Sequence, residues 1–144
     1  MTNRDFRESL EERTARYAVE VFKYLRELPY DVSIKVIAHQ LGKSASSIGA
    51  NYHEANRAES RDDFAHKVAI AVKEANESCY WFKVLTGLCG NSEWLEVLTK
   101  ETHELRNLLQ SILKSARSRE LPHSPILSLP HSQLTHSLTH PLPQ

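Results

Sequence analysis

Apolar side chains return every three or four residues along four stretches of the chain, the period of an α-helix with one buried face. In the first stretch Phe6, Leu10, Tyr17, Val21, Phe22, Leu25 and Leu28 fall mostly on one side, and Pro29 stops the run. Thr2 or Ser9, each three residues before an acid (Asp5 or Glu12), offers a capping box at its start. The second stretch, from about Val32 to Ala55, carries Ile34, Ile37, Leu41, Ala45, Ile48, Tyr52 and Ala55. The third opens at Ser60 with Asp63 in capping relation, carries Phe64, Val68, Ala71, Ala75, Cys79 and Phe82, and stops near Gly87 or Gly90. The fourth follows Asn91 and Ser92 with Leu95, Leu98, Leu105, Leu108, Leu109 and Ile112. It ends among Lys114, Arg117 and Arg119, where cations suit the negative end of a helix dipole. Connections this short make neighbouring helices antiparallel. The predicted fold class is all-α, an antiparallel up-and-down four-helix bundle.

Residues 1–119 form the expected bundle, with a tail of different material after it. Five of the six prolines lie beyond residue 120, in ELPHSPILSLPHSQLTHSLTHPLPQ. Low-complexity repetition and few core-building residues predict disorder for residues 120–144. Its histidines, His123, His131, His136 and His140, are irregularly spaced and have no cysteine among them, so they are expected to bind no metal.

The second helix has three further faces around its core stripe. Nearly opposite the core lie Lys35, His39, Lys43, Ser46, Ala50, His53 and Arg57, basic or small and without an acid. Flanking the core lie Gln40, Ser44, Ser47, Asn51 and Glu54, a polar set expected to hydrogen-bond to a neighbouring helix or subunit. On the remaining side Gly42 and Gly49 predict a close approach by another backbone, because each glycine costs a helix interior about 1 kcal/mol relative to alanine. The third helix adds a second apolar face, with Ile70, Trp81, Val84 and Leu88 beside Glu77, turned roughly 120° from its core stripe. A lone bundle would leave that face wet. A subunit interface anchored by Trp81 would cover it.

Lys plus Arg and Asp plus Glu each total 18, so any contact with nucleic acid depends on local patterning. The absence of a long apolar run or a leader predicts a cytoplasmic chain with no membrane association. Cys79 and Cys89 are then expected to be reduced packing groups. Four-helix bundles can house di-metal centres on paired Glu-x-x-His motifs. Here that spacing occurs once, at Glu120 to His123 in the tail, and its nearest counterpart in a helix is Asp63 to His66. No glycine-rich phosphate loop or Gly-x-Ser-x-Gly elbow occurs either, so no enzyme, metal or cofactor is expected.

The string QLGKSASSIGANYHEA (Gln40 to Ala55), followed by ESRDDFAHKVAIAVKEANESCYWF (Glu59 to Phe82), resembles the 23S rRNA intervening-sequence proteins. The likeness lies in Gln40-Leu41, Ser47-Ile48-Gly49-Ala50-Asn51, Glu54-Ala55, Ser60 with Asp63-Phe64, and Lys73-Glu74-Ala75-Asn76-Glu77 before Tyr80-Trp81. It spans roughly residues 10 to 118, and His53 stands where members often have arginine. The resemblance implies a cytoplasmic bundle that assembles as a homopentamer. It also implies kinship with the accessory variability determinant of diversity-generating retroelements, a ring that binds a reverse transcriptase and nucleic acid.

The expected function is a non-enzymatic oligomeric binding protein that touches RNA or DNA phosphates through Lys35, His39, Lys43, His53 and Arg57. The alternatives are a protein adaptor docking a larger enzyme such as a reverse transcriptase, or a structural passenger of a genetic element.

Overall fold

The computed structural model describes residues 1–118, which form four α-helices: α1 (Asn3–Arg26), α2 (Val32–Ala55), α3 (Arg61–Cys89) and α4 (Glu93–Arg117). The tail and its four histidines lie outside the described residues. Each helix starts where a side chain accepts a hydrogen bond from a main-chain N–H of the first turn. Thr2 accepts from Asp5 at 3.1 Å, Asp31 from Ile34 at 2.9 Å, Ser60 from Asp63 at 3.0 Å and Ser92 from Leu95 at 3.1 Å. Thr2, not Ser9, begins α1, and there Asp5 accepts in return from the Thr2 N–H at 3.0 Å to complete a capping box. The first helix ends at Arg26, with Pro29 in the turn behind it, and α3 ends where Gly90 takes φ +81°.

The short turns fold the helices back on one another, so that α1 packs on α2 and α4, and α3 packs on the same two. Between them lies one core, built around Phe6, Leu10 and Tyr17 of α1, Leu41, Ile48 and Tyr52 of α2, Phe82 and Leu85 of α3, and the leucines of α4. Each large side chain withdrawn from water this way contributes about 1.5–3 kcal/mol. Two positions depart from the periodicity. Phe22 is 46% exposed, and Tyr24 is buried instead, its ring edge-on to Trp94 at 5.1 Å between centroids. Cys79 is half-buried and Cys89 is exposed, so only the first has a share in packing; both are free thiols.

The glycines of α2 explain where Phe22 goes. A Cβ on Gly42 would lie 2.9 Å from the Phe22 ring, and one on Gly49 would lie 2.8 Å from Thr14 Oγ1 and 3.4 Å from the Thr14 main-chain carbon. These two gaps admit α1 against α2, with a ring filling one and a short side chain and its backbone filling the other.

A polar layer crosses the apolar core near its middle. Ser78 of α3 donates to Ser44 of α2 at 2.9 Å, and Ser44 donates to the Leu41 carbonyl at 3.3 Å. On the other side the Tyr17 hydroxyl of α1 and Thr102 of α4 are 2.6 Å apart. Thr102 directs its proton to the Leu98 carbonyl at 2.7 Å, so Tyr17 is the donor. Burial pushes the Tyr17 pKa far up, which keeps that proton in place, and the Ser78 hydroxyl also interacts with it. One turn away, Arg13 of α1 is 3% exposed and donates through Nε to Glu101 Oε1 at 2.6 Å and through Nη2 to Glu104 Oε2 at 3.0 Å. The first of these is an ion pair buried on both sides.

Two stability measurements follow from this packing. Gly49→Ala, which drives a methyl into Thr14 and its backbone, is expected to lower the unfolding free energy by about 1–3 kcal/mol. Gly42→Ala meets only the edge of a half-exposed ring that can swing away, and its better helix propensity brings it to neutral or up to about 1 kcal/mol stabilising. Urea denaturation of both variants checks the contrast, and equal losses would refute it. Arg13→Ala removes the guanidinium that faces the buried Glu101 and is expected to cost about 3–5 kcal/mol in the same assay.

Candidate nucleic-acid interface

The basic residues of α2 do not share one environment. Lys35, His39 and Lys43 are exposed along the outer side of the helix. The charge of Lys43 reaches Glu74 of α3, whose carboxyl is nevertheless raised, first by burial and then by its neighbour Glu77. Farther along, Ser46 and Ala50 interrupt the cations. At the helix end His53 and Arg57 lean toward α1, where an acid meets them.

That acid is Glu11, 19% exposed in the seam between α1 and α2. Its Oε1 accepts from Arg57 Nη1 at 2.6 Å and from Asn56 Nδ2 at 3.1 Å, and His53 Nδ1 stands 3.5 Å away. The same Arg57 Nη1 donates to the His53 carbonyl at 2.8 Å, which holds the guanidinium against the last turn of its own helix. Burial alone would raise the Glu11 pKa. The bonds from Arg57 and Asn56, with the charge of Arg57, outweigh that and hold it below the usual glutamate range. An open cleft of about 550 Å³ is lined by Arg4, Arg7, Glu8 and Glu11 of α1 and by Asn56 and Arg57 at the end of α2. Tyr52 is buried beneath it. Its hydroxyl is pushed up to about 12, by burial first, with opposing influences from Asn56 and Arg7.

The polar set flanking the core divides. Ser44 reaches α3 through Ser78, and Glu54 pairs with Lys67 of α3 at 3.0 Å. Ser47 and Asn51 instead bond along their own helix, Ser47 Oγ to the Lys43 carbonyl at 2.7 Å and Asn51 Nδ2 to the Ser47 carbonyl at 2.8 Å. Gln40 is half-buried beside them.

On α3, Trp81 and Val84 are part-buried against the core, Ile70 is half-buried and Leu88 is 53% exposed. The Trp81 ring is edge-on to Tyr80 at 5.0 Å, and its Nε1 donates to Glu77 at 3.4 Å. Among the described residues no three His, Cys, Asp or Glu side chains gather as a metal site would need, and no helix is long and apolar enough to cross a membrane.

The family described as 23S rRNA-intervening sequence protein matches residues 10–111. The chain belongs to that family. A solved structure of an S23 ribosomal protein family member from Bacteroides thetaiotaomicron, itself of unknown function, is similar at 33% identity and a TM-score of 0.69. The match covers 76% of this chain and 98% of that one. No curated protein matches the chain. Neither description names a reaction. The string that carried the family resemblance, Ser47-Ile48-Gly49-Ala50-Asn51, does packing work in this member. Ile48 enters the core, Gly49 admits Thr14, and Ser47 and Asn51 bond along the helix.

The Glu11 cluster of this family member gives a pH-dependent stability. Because folding lowers the Glu11 pKa, the contribution is complete above the unfolded glutamate value of about 4.3 and is lost as pH falls through the lower folded value. Wild type is expected to exceed Glu11→Gln by at most about 1 kcal/mol at pH 7, since the pair is partly solvated. The gap should close below about pH 4. Thermal melts of both proteins between neutral and acid pH measure it, and a gap that persists in acid would refute the assignment.

Proposed function

We propose that the chain is a non-enzymatic, self-assembling binding protein of the cytoplasm that holds RNA or DNA by its phosphates along α2. The observation that carries this reading is the outward line of Lys35, His39 and Lys43, about 12 Å of helix at 1.5 Å per residue, with Arg57 in the turn just past the end of α2. Cations so spaced suit a phosphate backbone and are too sparse to read base edges.

Self-assembly is supported by an apolar surface on α2 and α3. With Ser44 opposite Ser78, the antiparallel register brings Leu88 level with the start of α2, where Val32 and Val36 are 82% and 54% exposed. The part-buried Trp81 and Val84 adjoin that surface along α3. A homopentamer, as the family resemblance implies, would repeat the α2 line around a ring and strengthen weak contacts by multivalency. The same apolar surface supports a second reading, an adaptor that docks a larger enzyme such as a reverse transcriptase.

Replacing Lys35, Lys43 and Arg57 together by alanine is expected to weaken binding of a mixed-sequence single-stranded RNA. The slope of log affinity against log salt should become shallower by about 2, from about 0.7 per lost phosphate contact. Fluorescence anisotropy across a salt series measures both, and unchanged binding would remove α2 as the interface. Trp81→Ala is expected to shift sedimentation velocity toward smaller species at micromolar concentration. A wild-type chain that sediments as a monomer would refute self-assembly.

A further inference from the structure

We propose that the cleft between the start of α1 and the end of α2 is a phosphoryl-anion site, and that Glu11 occupies it in the free protein as a built-in competitor. The inference rests on the reading of α2 as a phosphate-binding face and adds a specific site to it. It also names a residue, Glu11, whose removal strengthens binding.

The geometry is that of a bound anion. Two donors from the turn that closes α2, Arg57 Nη1 at 2.6 Å and Asn56 Nδ2 at 3.1 Å, converge on a single carboxylate oxygen, with His53 Nδ1 at 3.5 Å. A phosphate oxygen makes the same demands: negative charge and several N–H donors at short range. Part of the arrangement is held independently of Glu11. Arg57 is fixed by its bond to the His53 carbonyl, and Asn56 caps the helix through its own main chain. A guanidinium carries five N–H donors, so a ligand can engage Arg57 while that anchoring bond stays in place. Arg7 faces the same cleft from α1, close enough for its charge to act on Tyr52 beneath the floor. The cleft is open and, at about 550 Å³, larger than one phosphate group needs. A phosphate entering it displaces the Glu11 carboxylate from Arg57 and inherits its partners. Glu11 belongs to the same chain, so this competitor raises the apparent Kd for the anion by a constant factor.

The test compares Glu11→Gln with Glu12→Gln, which removes an equal charge from an exposed position of α1 outside the cleft. Two probes are titrated at fixed salt, inorganic pyrophosphate and a mixed-sequence single-stranded RNA. Glu11→Gln is expected to bind pyrophosphate about fivefold more tightly than Glu12→Gln, the scale of one partly solvated ion pair. Adding Arg57→Ala to Glu11→Gln should abolish the gain. Equal affinities for the two glutamine variants, or a gain that survives Arg57→Ala, would overturn the proposal. The RNA arm separates this from the function above. If Glu11→Gln gains pyrophosphate through Arg57 but no variant binds RNA, the anion site stands and the nucleic-acid reading falls. If RNA binds through Lys35 and Lys43 while the two glutamine variants match, the nucleic-acid reading stands and the competitor falls.

Discussion

The ion pair between Arg13 and Glu101 is the constraint on which the arrangement of the bundle depends. Both side chains are withdrawn from water, where a charge is tolerable only with an opposite charge beside it, and Arg13 also reaches Glu104. Apolar stripes alone are permissive, because a helix slid by one turn against its neighbour still meets leucines with leucines. A buried guanidinium is not permissive, since a slip of α1 along α4 would leave two uncompensated charges in a low-dielectric interior. The bond of Tyr17 to Thr102 repeats this logic between α1 and α4 at a neutral level, and that of Ser78 to Ser44 applies it between α3 and α2. Together they tie each helix to a neighbour at a defined height and give the core one register.

The surface obeys different physics. Lys35 and Lys43 stand in open solvent on α2, whereas Arg57, just past its end, turns toward an acid of α1. A chain with balanced charge has no overall field to attract a polyanion, so short-range geometry decides what it holds. Arg57 therefore differs from Lys35 and Lys43 in kind: it is oriented by hydrogen bonds before any ligand arrives. The family fold is compatible with many such surfaces, and function resides in the particular side chains it presents.

Much of this architecture was legible in the sequence, and the exceptions have identifiable causes. Every apolar position assigned to the core of α4 is buried, because the strong alternation of leucine with charge leaves one possible inward face. Phe22 was misplaced because periodicity within one helix cannot distinguish the core from the seam against a neighbour, and Gly42 on α2 made that seam habitable. Ser47 and Asn51 sit on a flank from which they could have crossed to α3, but each bonds instead to the carbonyl four residues back, a local partner always within reach in a helix. Arg13 and Glu101 did leave a signal: each stands at a core-facing angle of its own helix, and their charges are opposite. Glu11 left none. Its meeting with Arg57 joins α1 to the turn after α2, far apart in the chain, and depends on how closely the two glycines let α1 approach.

Arg61, at the start of α3, donates to the carbonyls of Ala116 at 3.0 Å, Ser118 at 3.0 Å and Ser115 at 3.4 Å. Carbonyls at the end of a helix have no partners within it, and most helices satisfy them with water or with residues of their own. Here the partner comes from another helix, more than fifty residues earlier in the chain. The last turn of α4 is thus completed by tertiary structure. An excised α4 peptide would fray at that end, whereas the same residues in the bundle are closed off by an arginine they do not encode.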